Sequence, residues 1–180
     1  VCVYGDYDVD GVCASSILSS YLRSIGAQVD VYLPSRHKEG YGLNEGAVLK
    51  VCEKHRLLVT VDCGITSVEL TKLAQARGMR VVITDHHRPE GELPPCPVVN
   101  PLLNNYPFPY LCGAGVVFQL VAALGGRDAA MDYVDLAALA TIADIVPLQD
   151  ENRAIAALGL KRINVSPRPG IRALIDASGM

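Results

Sequence analysis

Val1-Cys2-Val3-Tyr4-Gly5-Asp6-Tyr7-Asp8-Val9-Asp10-Gly11 opens the chain, and its two halves follow different rules. Val1 to Gly5 is a continuous apolar run rather than an alternating one, which predicts a strand buried on both faces. Three aspartates at every second position then follow with no spacer. Downstream, Val12, Ile17, Leu18, Tyr21 and Leu22 fall at helical spacing and predict a helix over Gly11 to Ile25. Gln28 to Leu33 reads as a second strand. A loop with Pro34, Gly40 and Gly42 leads to a helix over Asn44 to Lys54. Leu57 to Val61 reads as a strand, Ser67 to Arg77 as a helix and Arg80 to Thr84 as a strand.

Strands alternating with helices of this length predict right-handed βαβ units. The expected fold class is therefore α/β: a parallel β-sheet flanked by helices. Arg88 to Pro109 is rich in Pro and Asn, with one short apolar pair, Val98-Val99, as a further strand. From Gly113 the pattern turns helical: Val116 to Leu124, Met131 to Ala143, Glu151 to Ile163 and Ile171 to Ala177, with a turn at Pro167 to Gly170. One domain over 1–180 is expected, with an α/β part over about 1–100 and a helical part over about 113–180. Because the chain starts inside a strand, it reads as a piece of something longer.

Of 180 residues, 50% are hydrophobic and 19% charged, an ordinary composition for a globular protein. The longest apolar stretch, Ala114 to Leu124, is interrupted by Gln119 and is far short of the about 20 residues a membrane span needs. The net charge of −3 neither advertises a nucleic-acid binder nor excludes a local basic cleft. Six cysteines, none in a CxxC pair, are expected as reduced core thiols.

The acidic residues fall at equivalent places. Asp6, Asp8 and Asp10 follow the first strand, Asp62 closes the third, and Asp85-His86-His87 close the fourth. Ligands of open parallel sheets bind at the carboxyl ends of the strands, so these clusters converge on one edge. Asp144, at the end of an apolar helix, is a further candidate, because a charge there is costly unless paired or bound to metal. Converging carboxylates repel unless a cation sits among them. Hard oxygen ligands with an imidazole or two suit Mn²⁺ or Mg²⁺, and a pair of such ions is a standard device for phosphoryl hydrolysis. Gly5, Gly11 and Gly64 are expected to let the backbone approach a ligand, and the first helix to aim its amide groups at a phosphate.

Blander readings exist for each piece. The first run could be a loop plus a helix cap. A calcium loop is ruled out by the preceding strand and by the twelfth position, which is Ile17 counted from Asp6 and Tyr21 counted from Asp10. Asp62 or the His pair alone would mean little. All three at strand ends carry the functional reading.

Gly5 to Gly11, Val61-Asp62-Cys63-Gly64-Ile65 and Thr84-Asp85-His86-His87 resemble the first three motifs of the DHH phosphoesterases. Gly113-Ala114-Gly115-Val116 and Ala143 to Leu148 resemble the later ones. Gly40 to Asn44 and Arg168-Pro169-Gly170 are most similar to the branch of single-strand-specific DNA exonucleases. The resemblance implies a metal-dependent phosphodiesterase that hydrolyses single-stranded DNA from its 5′ end in repair and recombination, with Mn²⁺ or Mg²⁺, one or two ions. It implies that Asp8 holds one metal and Asp10 the other, with Asp62 bridging and His86 and Asp144 completing the second site. His87 would contact the phosphate and Asp85 orient its neighbours, so Asp62, Asp85 and His87 form the catalytic set. Asp6 stands as a further ligand or a support behind the ligands. Arg36, Gly113 and Gly115, with His37, Lys38 and Tyr41 nearby, would meet the strand. Other branches carry a His ligand where this chain has Tyr4. A cytoplasmic monomer working with a single-strand-binding protein and a helicase is implied, and a second, substrate-gripping domain is expected outside these residues. The alternatives are a nanoRNase, a cyclic-dinucleotide phosphodiesterase, a pyrophosphatase or a non-enzymatic replication-factor scaffold, the last disfavoured because the acidic residues are all present.

Overall fold

The structure, a computed structural model, describes residues 1–36, 40, 42–103 and 105–179. His37, Lys38 and Tyr41, expected near the strand, lie outside the described residues. The element order is β1 (Cys2–Gly5), α1 (Val9–Ser24), β2 (Asp30–Tyr32), α2 (Glu45–Lys54), β3 (Leu57–Val61), α3 (Val68–Ala76), β4 (Arg80–Thr84), β5 (Val98–Val99), α4 (Gly113–Met131), α5 (Val134–Ala143), α6 (Asp150–Val165) and α7 (Pro169–Ser178).

Among the described residues the strands form one five-stranded sheet in the order β2-β1-β3-β4-β5. Every pairing is parallel, with Val3 opposite Val31 and Val59, and Val59 opposite Val82. The continuous apolar strands are explained by two cores. On one face α1, α4 and α5 pack Ile17, Leu18, Val117, Val121 and Val134 against Val3 and Val61. On the other, α2 and α3 pack Val48, Val51 and Ala74 against Leu58, Val81 and Ile83. Full burial of one such aliphatic side chain contributes about 1.5–3 kcal/mol.

The chain runs from β1 outward to β2, then returns to lay β3 on the other side of β1. The strand order reverses between β1 and β3, so the loops leaving their carboxyl ends part and leave a crevice there. Asp6 to Asp10 leave β1 and Asp62 leaves β3, so the crevice is acidic by construction.

Three elements depart from expectation. The second strand is only Asp30–Tyr32, because it is the sheet edge and Val31 and Leu33 stay exposed. The helix expected over Val116 to Leu124 starts earlier, at Gly113, and α4 is broken at Gly126 (φ 86°, ψ 167°), where non-helical backbone separates two helical stretches. Pro169 and Gly170, expected in a turn, form the first turn of α7, where proline's missing N–H costs nothing. The six cysteines are free thiols, four of them buried. No helix among the described residues is long and apolar enough to cross a membrane.

Candidate metal centre

Three overlapping groups of side chains converge where β1, β3 and β4 end: Asp6, Asp8 and Asp62; Asp62, His86 and His87; and Asp10, His86 and Asp144. Within each group one donor atom per residue lies within 4.8 Å of the others. Asp62 belongs to two groups and His86 to two, so the set is continuous rather than three separate contacts.

Asp62 is the centre. Its carboxylate is 2% exposed, and its backbone adopts φ 60°, a left-handed conformation that an L residue enters at a cost. Oδ1 lies 3.1 Å from His86 Nε2, yet in a geometry that makes no hydrogen bond, and it has no other partner among the described residues. Burial, then the charges of Asp10 and Asp8, push its carboxyl up to about 10. Asp144 and Asp6 are also raised, each chiefly by burial, Asp144 next by Asp10; for Asp6 the Tyr7 amide works against the rise. A carboxylate with an orphaned buried oxygen among acidic neighbours is stabilised by a cation, and the oxygen and imidazole donors here suit Mn²⁺ or Mg²⁺.

Asp10 is held by a helix distant in sequence. Its Oδ2 accepts from the Gly113 amide at 2.6 Å and its Oδ1 from the Ala114 amide at 2.7 Å. The first turn of α4 thus donates two of its otherwise unpaired amides to Asp10, with the helix dipole favouring the negative charge. His86 Nε2 stands 3.7 Å from Asp10 and 4.0 Å from Asp144.

Asp85 serves the histidines. It is 1% exposed and accepts from the amides of Ile65, His86 and His87, while its Oδ1 lies 2.7 Å from His87 Nδ1. Burial alone would raise its carboxyl, but the His87 contact and the amides of Ile65 and His87 outweigh that and lower it. The same contact raises His87 against the opposing effect of burial, so its ring carries a proton more readily.

The amide of Gly11 donates to Asp8 Oδ1 at 2.9 Å, so Asp8 caps α1 and that amide is not offered to a phosphate. The loop glycines are closely packed against other atoms of the protein. A Cβ on Gly11 would lie 2.6 Å from Asp6 N, one on Gly5 would strike Ser15 Oγ, and Gly64 (φ 106°) sits over Thr60 Oγ1. Gly113 and Gly115, expected at the substrate, are both buried. A Cβ on Gly113 would fall 2.5 Å from Asp62 Cβ, and one on Gly115 would meet Leu111. Tyr4 is fully buried, stacks on Tyr32 and donates from its hydroxyl to the Gly42 carbonyl, so it braces the loop behind the site. Arg36 is exposed, with its guanidinium 5.5 Å from the centre of the Tyr7 ring, beside Asp6 and Asp8.

One residue escaped the sequence reading. Asn100, directly after β5, donates to the His87 carbonyl at 2.9 Å and accepts from Leu102. Its signal was its place, a polar residue at the same strand edge as the acidic clusters.

Residues 1–142 match the DHH family, N-terminal domain. The chain belongs to the DHH family. Among its relatives, this DHH chain is 48% identical to the single-stranded-DNA-specific exonuclease RecJ of Bacillus subtilis, over 99% of this chain and 23% of that protein. It is 43% identical to RecJ of Thermus thermophilus, over 98% of this chain and 27% of that protein. It therefore spans about a quarter of the length of these relatives. Its fold superposes on a crystal structure of exonuclease RecJ bound to manganese with a TM-score of 0.92 and 41% identity, covering 99% of this chain and 47% of the other.

Proposed function

We propose that this DHH chain carries the catalytic centre of a metal-dependent exonuclease that hydrolyses single-stranded DNA from its 5′ end. The observation that carries the reading is Asp62, which belongs to two groups of donors and has a buried oxygen without a hydrogen-bond partner among the described residues. The likeness to RecJ proteins supports the substrate, and the manganese-bound RecJ structure supports the ion.

In this reading Asp8 would hold one ion and Asp10, His86 and Asp144 the other, with Asp62 shared between the two donor sets and Asp6 supporting the first. Bound metal would supply Lewis-acid polarisation of the phosphoryl group and a water acidic enough to attack it near neutral pH. The protein's own share is placement. The first turn of α4 fixes Asp10, Asp85 fixes the His87 ring, and the charge Asp85 favours on that ring suits it to a phosphate oxygen. Arg36 over Tyr7 adds a basic group and an aromatic face at the rim, where a backbone phosphate and a base would meet them.

We infer further that the grip on a long strand comes from outside these residues, since one domain of net charge −3 offers few phosphate contacts. A cytoplasmic setting, a monomeric state and work alongside a single-strand-binding protein and a helicase belong to the same reading. The test is incubation with 5′-labelled single-stranded and duplex DNA, with and without Mn²⁺. Mononucleotides released only from the single strand and only with metal support the reading; metal-independent cleavage, or equal cleavage of duplex, removes it.

A further inference from the structure

β5 is a two-residue strand at the end of the sheet, with Val98 half-buried and Val99 exposed, so it adds little to the core. Its register is nevertheless set. Thr84 pairs with Val99, and the Asp85 amide donates to the Val99 carbonyl at 3.0 Å. That pairing brings Asn100 level with Asp85-His86-His87. Asn100 is 6% exposed, and both ends of its side-chain amide are bonded. Oδ1 accepts from the Leu102 amide at 2.9 Å, and Nδ2 donates to the His87 carbonyl at 2.9 Å. The first bond is a turn that aspartate makes equally well. The second needs a donor, which an ionised aspartate lacks.

The donor matters because of what it holds. His87 lies beyond the end of β4 and its side chain is 44% exposed, so packing does little to fix its ring. Yet one ring nitrogen stands within 4.8 Å of donor atoms on Asp62 and His86. Hydrogen bonds take the place of packing. Asp85 Oδ1 accepts from the His87 amide at 3.1 Å and lies 2.7 Å from ring Nδ1, while Asn100 holds the carbonyl. Holding the amide and the carbonyl fixes the backbone angles of His87, and those angles select the side-chain rotamer. Asp85 precedes His87 in the chain, and Asn100 lies 13 positions after it, so the two grip it from both directions.

We propose that Asn100 is a positioning residue for the hydrolysis, acting through the His87 carbonyl to hold the His87 ring over the Asp62 cluster. This rests on the reading in which His87 meets the substrate phosphate, and deepens it: Asp85 orients the ring and Asn100 anchors the backbone that carries it.

The test is a double-mutant cycle in the whole chain, with Asn100→Asp and Asn100→Ala made in the wild type and in His87→Ala. Asn100→Asp keeps the bond from Leu102 and removes the donor to His87; Asn100→Ala removes both. Steady-state hydrolysis of a short single-stranded oligonucleotide with Mn²⁺ gives kcat and KM, and calorimetry gives Mn²⁺ affinity. Both variants should lose about 10–100-fold in kcat. KM and Mn²⁺ affinity should stay within about twofold, and in His87→Ala the same changes should cost no more than about twofold in kcat. A second readout needs no activity: the His87 ring signals in the NMR spectrum of histidine-labelled protein, assigned by their absence from His87→Ala. These should shift or broaden in both Asn100 variants while those of His55 stay in place. Equal loss of kcat with and without His87 marks a structural role and overturns the proposal, as does wild-type kcat in Asn100→Asp. If wild type does not hydrolyse the oligonucleotide, the exonuclease reading falls separately, and unchanged His87 signals in the Asn100 variants then overturn the anchoring of His87.

Discussion

Asp10 and Gly113, 103 positions apart, are joined by a 2.6 Å hydrogen bond, and Gly113 also presses on Asp62 so closely that no side chain fits between them. One glycine thereby sets the distance between two carboxylates. Gly113→Ala should displace Asp62, lowering metal-dependent turnover about 100-fold, since misplacement by about an ångström has that cost. Stability should fall by about 1–3 kcal/mol from overpacking. Turnover and thermal melting of the purified variant measure both, and wild-type turnover would show that the crevice gives way without consequence.

The two histidines should fail differently. His86 stands among Asp10, Asp62 and Asp144, so His86→Ala should weaken Mn²⁺ binding about 10–100-fold. His87 is held by Asp85, so His87→Ala should lower turnover with Mn²⁺ affinity nearly unchanged. Calorimetric titration of both variants decides the split, and equal loss of binding would refute it.

The positions of these residues were legible in the sequence, and their partnerships were not. Asp6 to Asp10, Asp62 and Asp85 to His87 each end an apolar strand, and a parallel sheet puts such ends on one edge. That inference needs only local pattern and one rule of topology. The capping of Asp10 by α4 depends instead on how a helix from the second half of the chain lands on the sheet. The same holds for Gly11 and Gly64, whose small size is spent on neighbouring protein atoms that no local pattern reveals. Asn100 shares the strand edge with the acidic clusters, but its bond to the His87 carbonyl cannot be read from sequence.

Arg168 makes a two-pronged contact with Asp135, both oxygens at 2.6 Å, and Asp135 is fully buried. Arg168→Ala strands that carboxylate beneath α7. The expected cost is about 3 kcal/mol, toward the low end for a broken buried pair because the arginine is partly exposed. Urea unfolding measures it. Arg168→Lys should fall in between, since lysine keeps the charge without the fork. A loss within about 0.5 kcal/mol for Arg168→Ala would show that water reaches Asp135.

His55 links stability to pH away from the metal centre. Burial lowers its imidazole from 6.5, and the exposed Asp30 carboxylate at 2.8 Å does not offset it. A histidine depressed in the fold binds its proton more tightly in the unfolded chain. Its contribution is therefore complete above 6.5 and is lost as pH falls below that value. Between about pH 7 and 5, wild type should lose melting temperature more steeply than His55→Gln. Parallel curves would show that the two states of His55 bind protons alike.

The central claim is that Asp62 joins the donor groups into one metal centre, and Mn²⁺ titration of wild type and Asp62→Asn tests it most directly. Wild type should bind Mn²⁺, and the asparagine variant should lose about 10–100-fold or more in affinity. In metal-free buffer the variant should melt higher, because a buried carboxylate pushed up to about 10 by its surroundings is replaced by a neutral group of the same shape. Equal Mn²⁺ affinity in the two proteins, with the variant no more stable without metal, would contradict the account.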